Sequence, residues 1–269
     1  MFIKKLHKSV VVALRDISLL IVICILTGCA KQKSENVAAG GDSWEIIKKN
    51  GVLKIGTDAT YLPFEVRDPQ TGELVGFDID LMKEICRRLQ IKPEFHVVSF
   101  DGIIAGLKTK KYDVIISAMT ITEERSKEVS FSIPYYLAGQ SIAVHVENNT
   151  IRGLEDLKGK KIGVQLGTTG EIEARKIKDA QVVPYEDINT AFIDLANKNL
   201  DAVINDIPTT RAIVSAKKNL KIVGALLTKE YYGIAVRKED ATLLQQINRV
   251  LEEIIKDGTL EKLKKKWMI

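Results

Sequence analysis

Lys161-Ile162-Gly163-Val164-Gln165-Leu166-Gly167-Thr168-Thr169-Gly170-Glu171 is the stretch from which the rest of the chain is read. Its first half, Lys161 to Gln165, predicts a strand, and an amphipathic helix is predicted from Glu171 to Ile177. The Gly/Thr turn between them ends the one and opens the other. A strand, a tight turn and a helix in quick succession form the repeating unit of an α/β protein. The helix start leaves backbone N–H groups without intrahelical acceptors, a place where an anion can be held. Taken alone, a Gly/Thr turn is ordinary punctuation, and the G-x-x-x-x-G-K-[ST] spacing of a phosphate loop is absent.

Working outward, the same alternation covers the chain from Trp44 onward. Strands are predicted at Leu53 to Thr57, Phe95 to Val98, Val114 to Ser117, Ser141 to His145, Ala202 to Asn205 and Gly233 to Val236. Helices are predicted at Ile79 to Leu89, Gly102 to Leu107, Asn189 to Ala196, Thr209 to Ala216 and Thr242 to Lys256. Asp78 is placed to cap the first of these, with Asp80 in its positive first turn and Arg87 and Arg88 at its negative end. Residues 67–73 carry the Pro and Gly chemistry of a hairpin connection. No long Gly/Ser/Pro linker and no fixed-period repeat divides the region, so a string of independent domains is not expected.

The chain has 269 residues, 45% hydrophobic and 28% charged, enough for a substantial core. Its formal charge of +5 falls to about +2 when residues 1 to 28 are removed, because Lys4, Lys5, Lys8 and Arg15 leave with only Asp16. That balance, with acids interleaved along the chain, argues against a nucleic-acid binder, and Lys264 to Lys266 reads as a solvated helix face. Residues 1–15 are basic and precede the apolar run 17–26, which is too short to span a bilayer and reads as the core of a signal peptide. Leu26-Thr27-Gly28-Cys29 follows directly and resembles the lipobox of bacterial lipoproteins. The resemblance implies cleavage before Cys29 and lipidation of its thiol, with more than one acyl chain making attachment stable. Residues 30–42 are polar, lack apolar periodicity and read as a tether. Cys86 would then be the only free thiol of the mature protein, set among Met82, Ile85 and Leu89 as a small buried hydrophobe.

Four blocks carry a wider resemblance. They are Gly56 to Glu65 with Leu74 to Leu81, Phe100 to Ile104 with Tyr112 to Arg125, Leu157 to Gly170, and Leu200 to Asp206 with Tyr232 to Lys238. In this order, behind a lipobox, they resemble the polar amino-acid solute-binding proteins, family 3, of bacterial ABC uptake transporters. The resemblance implies an α/β fold of periplasmic-binding-protein type II, a two-lobe clamp with a central sheet in each lobe and two crossover strands. By that likeness residues 44–138 and 232–269 form lobe 1 and residues 139–231 form lobe 2, after a signal peptide at 1–28 and a lipidated tether at 29–43. The chain would be a monomer, lipid-anchored at the outer face of the cell membrane or in the periplasm. It would bind a free amino acid and deliver it to a transmembrane permease and its ATPase.

Each part of an amino acid has a complement in these blocks. Arg125 stands at a strand-to-helix turn where the family places its carboxylate-binding arginine, and a guanidinium grips two oxygens as lysine cannot. Without the surrounding motif it would be a surface arginine. Thr168 and Thr169 would add helix-start amides from the other lobe. Asp206 ends an apolar strand, where it could accept from the ligand ammonium or simply cap the helix near Pro208. Ser117 and Thr120 complete the polar cradle, and Ala118 stands where many relatives carry Gly or Ser, which excludes a side-chain hydrogen bond from that position. Tyr61 and Phe100 match the aromatic positions that flank the ligand side chain, although aromatic residues are more often plain core. Asp58 nearby would suit a cationic side chain, while Asp58 with Gln165 could equally bond an amide. Arginine or lysine is ranked first and glutamine next.

The competing reading is an enzyme of the same fold, resembling a cyclohexadienyl or arogenate dehydratase. It needs a general acid over the substrate; Glu171 and Glu173 are the residues placed for it, but glutamates at a helix start usually serve the dipole. The three histidines, His7, His96 and His145, are scattered, and no H-E-x-x-H, C-x-x-C or G-x-S-x-G spacing occurs. No metal, cofactor or catalytic residue is expected.

Overall fold

In the computed structural model the described residues are 43–269. The signal-peptide and lipobox readings, Cys29 among them, lie outside these residues. Two five-stranded sheets organise the chain. In the first, Val52–Thr57 lies between Lys92–Val97 and Val114–Ile115, all parallel. Ala235–Val236 then pairs antiparallel with Val114–Ile115, and Ser130–Phe131 pairs antiparallel with Ala235–Val236. The second sheet repeats the plan. Lys161–Gln165 lies parallel between Gln181–Tyr185 and Ala202–Asp206, followed by Gln140–His145, reversed, and Leu220–Val223.

In each sheet the reversed strand next to the parallel set is the one that has just arrived from the other lobe. The passages are Tyr136–Ala138 outward and Glu230–Tyr232 on the return, paired antiparallel with each other. Beneath them Phe64, Tyr136 and Tyr232 pack with ring centroids 5.2 to 5.6 Å apart, a geometry that favours aromatic pairs beyond simple area burial. This topology points the carboxyl ends of the parallel strands of both sheets at a common crevice, where α/β folds bind ligands.

The helices form where apolar spacing dictates. Phe77–Leu89 buries Phe77, Ile79, Leu81, Met82, Ile85 and Cys86 against the first sheet. Burial pushes the Cys86 thiol up to about 12, so it is an inert packing residue. Asp78 does not cap this helix: Gly76 is the N-cap, and Asp78, fully buried, accepts from Ala118 N at 2.7 Å and from Tyr135 Oη at 2.9 Å. Tertiary partners outcompete the local cap because burial makes an unpaired carboxylate costly. Gly76 has φ 141°, and a Cβ there would stand 2.0 Å from the Phe64 carbonyl oxygen, so only glycine fits. Asp80 is used as well, accepting from Trp267 Nε1 and Lys266 Nζ, both at 2.7 Å, which docks the C-terminal helix Thr259–Trp267. The 67–73 hairpin forms as expected between Glu65–Arg67 and Leu74–Val75, with Asp68 accepting from Gln70 N and Thr71 N. Several elements have no counterpart in the sequence reading, among them the helix Trp44–Asn50 and the strands Gln181–Tyr185 and Leu220–Val223.

Candidate functional site

Four strand ends build the crevice. Asp58 follows the strand Val52–Thr57, Ser117 follows Val114–Ile115, and Gln165 and Asp206 are the last residues of their strands. Between the lobes they enclose a small cavity, about 20 Å³ as reached by a water-sized sphere. All eleven residues singled out from the sequence line it, and Glu65 joins them.

On the first-lobe side, Asp58 is buried. Its backbone N–H donates to Ser117 Oγ at 3.0 Å, Oδ1 accepts from Thr60 Oγ1 at 2.8 Å, and Oδ2 accepts across the cleft from Gln165 Nε2 at 2.7 Å. Burial raises its carboxyl above the ordinary value, against the lowering effect of these hydrogen bonds. Ser117 passes its own hydrogen to Glu65 Oε1 at 2.8 Å. Ala118 adopts φ 43° and turns the chain out of the sheet, its N–H tied to Asp78. Glu65 and Asp78 form a buried carboxyl pair. Burial and then Asp78 push Glu65 well up, and burial takes Asp78 to about 7.

Arg125 sits in the first turn of Glu123–Glu128, where the Thr122 hydroxyl caps the helix by accepting from Arg125 N. Its guanidinium lies over the Phe100 ring, 5.2 Å from the centroid, a cation–π arrangement. Nη1 donates to the Thr120 carbonyl at 2.8 Å and Nη2 reaches across the cleft to the Gly167 carbonyl at 3.1 Å. Burial lowers its pKa, with Asp206 and Glu230 acting in the opposite direction.

From the second lobe, Thr168 caps the helix Thr169–Arg175 by accepting from Glu171 N. The Gly167 amide is not free for an anion, because it donates to Glu171 Oε2 at 2.7 Å. The amides of Thr169 and Gly170, in the first turn, have no intrahelical acceptor. Asp206 precedes the helix Ile207–Ala216 but makes no side-chain cap bond. Its carboxylate turns instead to Tyr232 Oη at 2.6 Å, Tyr61 Oη at 2.9 Å and Gln140 Nε2. Burial, followed by the charge of Glu230, raises it to about 6 against those three donors. Tyr61 Oη also lies 2.7 Å from Asn205 Oδ1, so it joins the two lobes.

Five residues around the site carry no role in the sequence reading: Glu65, Gln140, Asn205, Glu230 and Tyr232. Glu65, in Pro63-Phe64-Glu65, is a buried acid beside a buried aromatic, and Tyr232 opens a quoted block. Gln140 and Glu230 belong to the passages between lobes and offer no local pattern.

Residues 53–269 match the family model of bacterial extracellular solute-binding proteins, family 3. ABC transporter arginine-binding protein 1 of Escherichia coli (strain K12) is 38% identical over 224 residues, covering 80% of this chain and 90% of that protein. Among solved structures, the chain is similar to a truncated, arginine-bound ArgBP from T. maritima, with a TM-score of 0.76 and 48% identity over 78% of this chain and 99% of that one. It is also similar to an ancestral amino acid-binding protein described as a precursor of cyclohexadienyl dehydratase, with a TM-score of 0.79 and 42% identity over 84% of this chain and 99% of that one. Two sheet-centred lobes, two passages between them and this span of sequence agreement make the chain a member of the bacterial extracellular solute-binding proteins, family 3, with the type II clamp fold.

Proposed function

We propose that this protein captures a cationic amino acid, arginine or lysine ahead of glutamine, and delivers it to the permease and ATPase of an ABC importer. The charge inventory of the cavity carries the reading. Arg125 is the one cation among the lining residues, which also carry the carboxyl groups of Asp58, Glu65 and Asp206. If Arg125 takes the ligand carboxylate and Asp206 the ammonium, Asp58 is left for the side chain. A guanidinium or ammonium there offsets the burial of Asp58, which a neutral amide does less well. The names of the similar proteins, an arginine-binding transporter component and an arginine-bound ArgBP, support the same choice. Calorimetry against the twenty amino acids is expected to give arginine or lysine the tightest binding. Asp58→Asn should weaken the cationic ligands at least about tenfold while leaving glutamine within about threefold. Equal losses would remove Asp58 from side-chain recognition.

Asp206 makes binding pH-dependent. Its ammonium contact needs the ionised carboxylate, so below about pH 6 the ligand must displace a proton. Affinity should be level above about pH 7 and fall as pH drops through about 6, approaching tenfold per unit. The effect on folding has its own sign. A folded-state value above the ordinary 3.8 means that the folded chain holds this proton more tightly. The group therefore weakens the fold progressively as pH rises from about 4 to about 6, and by a constant amount above that. A binding profile that stays flat down to pH 5 would remove Asp206 from ammonium recognition.

The lobes divide at 44–138 with 232–269 and at 139–231, consistent with the strand pair Tyr136–Ala138 and Glu230–Tyr232. The chain is a monomer held at the extracytoplasmic membrane face through lipidated Cys29, a reading supported by residues 17–29. Cys29→Ala should move the protein from the membrane to the soluble fraction; unchanged membrane retention would count against lipidation.

A dehydratase reading has the ancestral neighbour in its favour. The acids placed for it are engaged elsewhere: Glu171 with Gly167 N and Arg175, and Glu173 with Lys176 at 2.6 Å. Glu65 lines the cavity but is held by Ser117 beside Asp78. Turnover of arogenate-like acids is not expected, and detecting it would reverse this ranking.

A further inference from the structure

Glu230 lies on the returning passage between lobes, buried behind Thr120 and Thr169. Its carboxylate collects donors from three directions. Oε2 accepts from Thr120 Oγ1 at 2.7 Å and from Thr169 Oγ1 at 2.8 Å, with Gln140 Nε2 at 3.4 Å. Oε1 accepts from Thr228 Oγ1 at 2.7 Å. Thr120 belongs to the first-lobe loop and Thr169 opens a second-lobe helix, and both line the cavity. A single oxygen atom on the passage thus holds one wall residue from each lobe.

A threonine that gives its only hydroxyl hydrogen to Glu230 has none left for a ligand carboxylate. Recognition of that carboxylate then falls to Arg125 and to backbone amides, and Glu230 determines where the loops bearing those amides stand. Both bonds are buried. The two bonds cannot both survive a separation of Thr120 from Thr169 on opening the cleft. We propose that Glu230 is a positioning residue for the ligand carboxylate, fixing the Thr120 and Thr169 loops against each other across the closed cleft. The proposal deepens the amino-acid-binding reading above and rests on it for the identity of the ligand.

The test uses the full-length protein, Glu230→Gln and Glu230→Ala. Glutamine keeps one acceptor oxygen for the two threonines and removes the charge, whereas alanine removes both. Binding is measured for arginine and, by competition, for agmatine, which is arginine without its carboxylate. Amide hydrogen exchange is followed over residues 120–125 and 168–171. Glu230→Ala is expected to weaken arginine about 10–100-fold, to leave agmatine within about twofold and to speed exchange in both segments. Glu230→Gln should stay within about threefold of wild type throughout. Equal losses in the two variants mean that Glu230 acts through its charge, and equal losses for arginine and agmatine mean that it does not act on the carboxylate subsite; either result overturns the proposal. If Glu230→Ala does not fold, Thr120→Val and Thr169→Val must give the same arginine-selective loss, and the proposal fails if they do not. A wild-type protein that binds no amino acid, with exchange responding as expected, overturns the ligand reading but leaves the cross-lobe positioning role standing.

Discussion

Arg125→Ala is expected to lower affinity for the preferred amino acid by about 30-fold to a few thousand-fold, the equivalent of about 2–5 kcal/mol for truncating one partner of a buried charge pair. The guanidinium does three things at once: it stacks on Phe100, ties the Thr120 carbonyl and bridges to Gly167 in the opposite lobe. Lysine cannot reproduce that fork, so Arg125→Lys should recover little of the loss. The fold should survive, because Arg125 lies on a short helix and belongs to none of the three apolar clusters. Titration calorimetry paired with a thermal melt checks both halves. Affinity within about threefold of wild type would exclude Arg125 from the ligand contacts.

Gly76→Ala is expected to be the most damaging single-atom-scale change outside the cavity, costing about 2–6 kcal/mol of stability. Part of this is the backbone conformation, since φ 141° is essentially closed to residues with a side chain. The rest is collision, because the new methyl would stand 2.0 Å from the Phe64 carbonyl oxygen and 2.8 Å from Glu65 N. Backbone must move to relieve it. The movement would reach the site directly, since Glu65 lines the cavity and Asp78, two residues beyond Gly76, holds Ala118 N. Urea unfolding measures the cost, and a loss below about 1 kcal/mol would show that the 76–78 turn is far more compliant than its contacts imply.

What could be read from sequence follows from where each residue sits. Asp58, Gln165 and Asp206 end apolar strands, so a polar residue there signals a crevice, and Arg125 is flagged by the run from Tyr112 that precedes it. Glu230 leaves no comparable trace: in Lys229-Glu230-Tyr231 it looks like any solvated charge, and only the pairing of Glu230–Tyr232 with Tyr136–Ala138 buries it. Asp78 misleads for a related reason. A Gly-Phe-Asp start is a sound local cap pattern, but Ala118 and Tyr135 arrive from 40 and 57 residues away and take the carboxylate. The strand predicted to Ser117 ends at Ile115, and the chain then turns through Ala118 at φ 43°, where the Ala118 amide goes to Asp78. Ligand choice is the least legible property, since it depends on which cavity carboxylate lacks a cationic partner.

Cys86 has a practical corollary. It is the only cysteine among residues 43–269, and packing both hides its sulfur and keeps it protonated at working pH. Thiol-directed dyes would therefore pass it by. A pair of cysteines introduced on the outer surface, one per sheet, would carry a donor and an acceptor fluorophore without any need to remove the native residue. That turns clamp movement into a distance readable on single molecules.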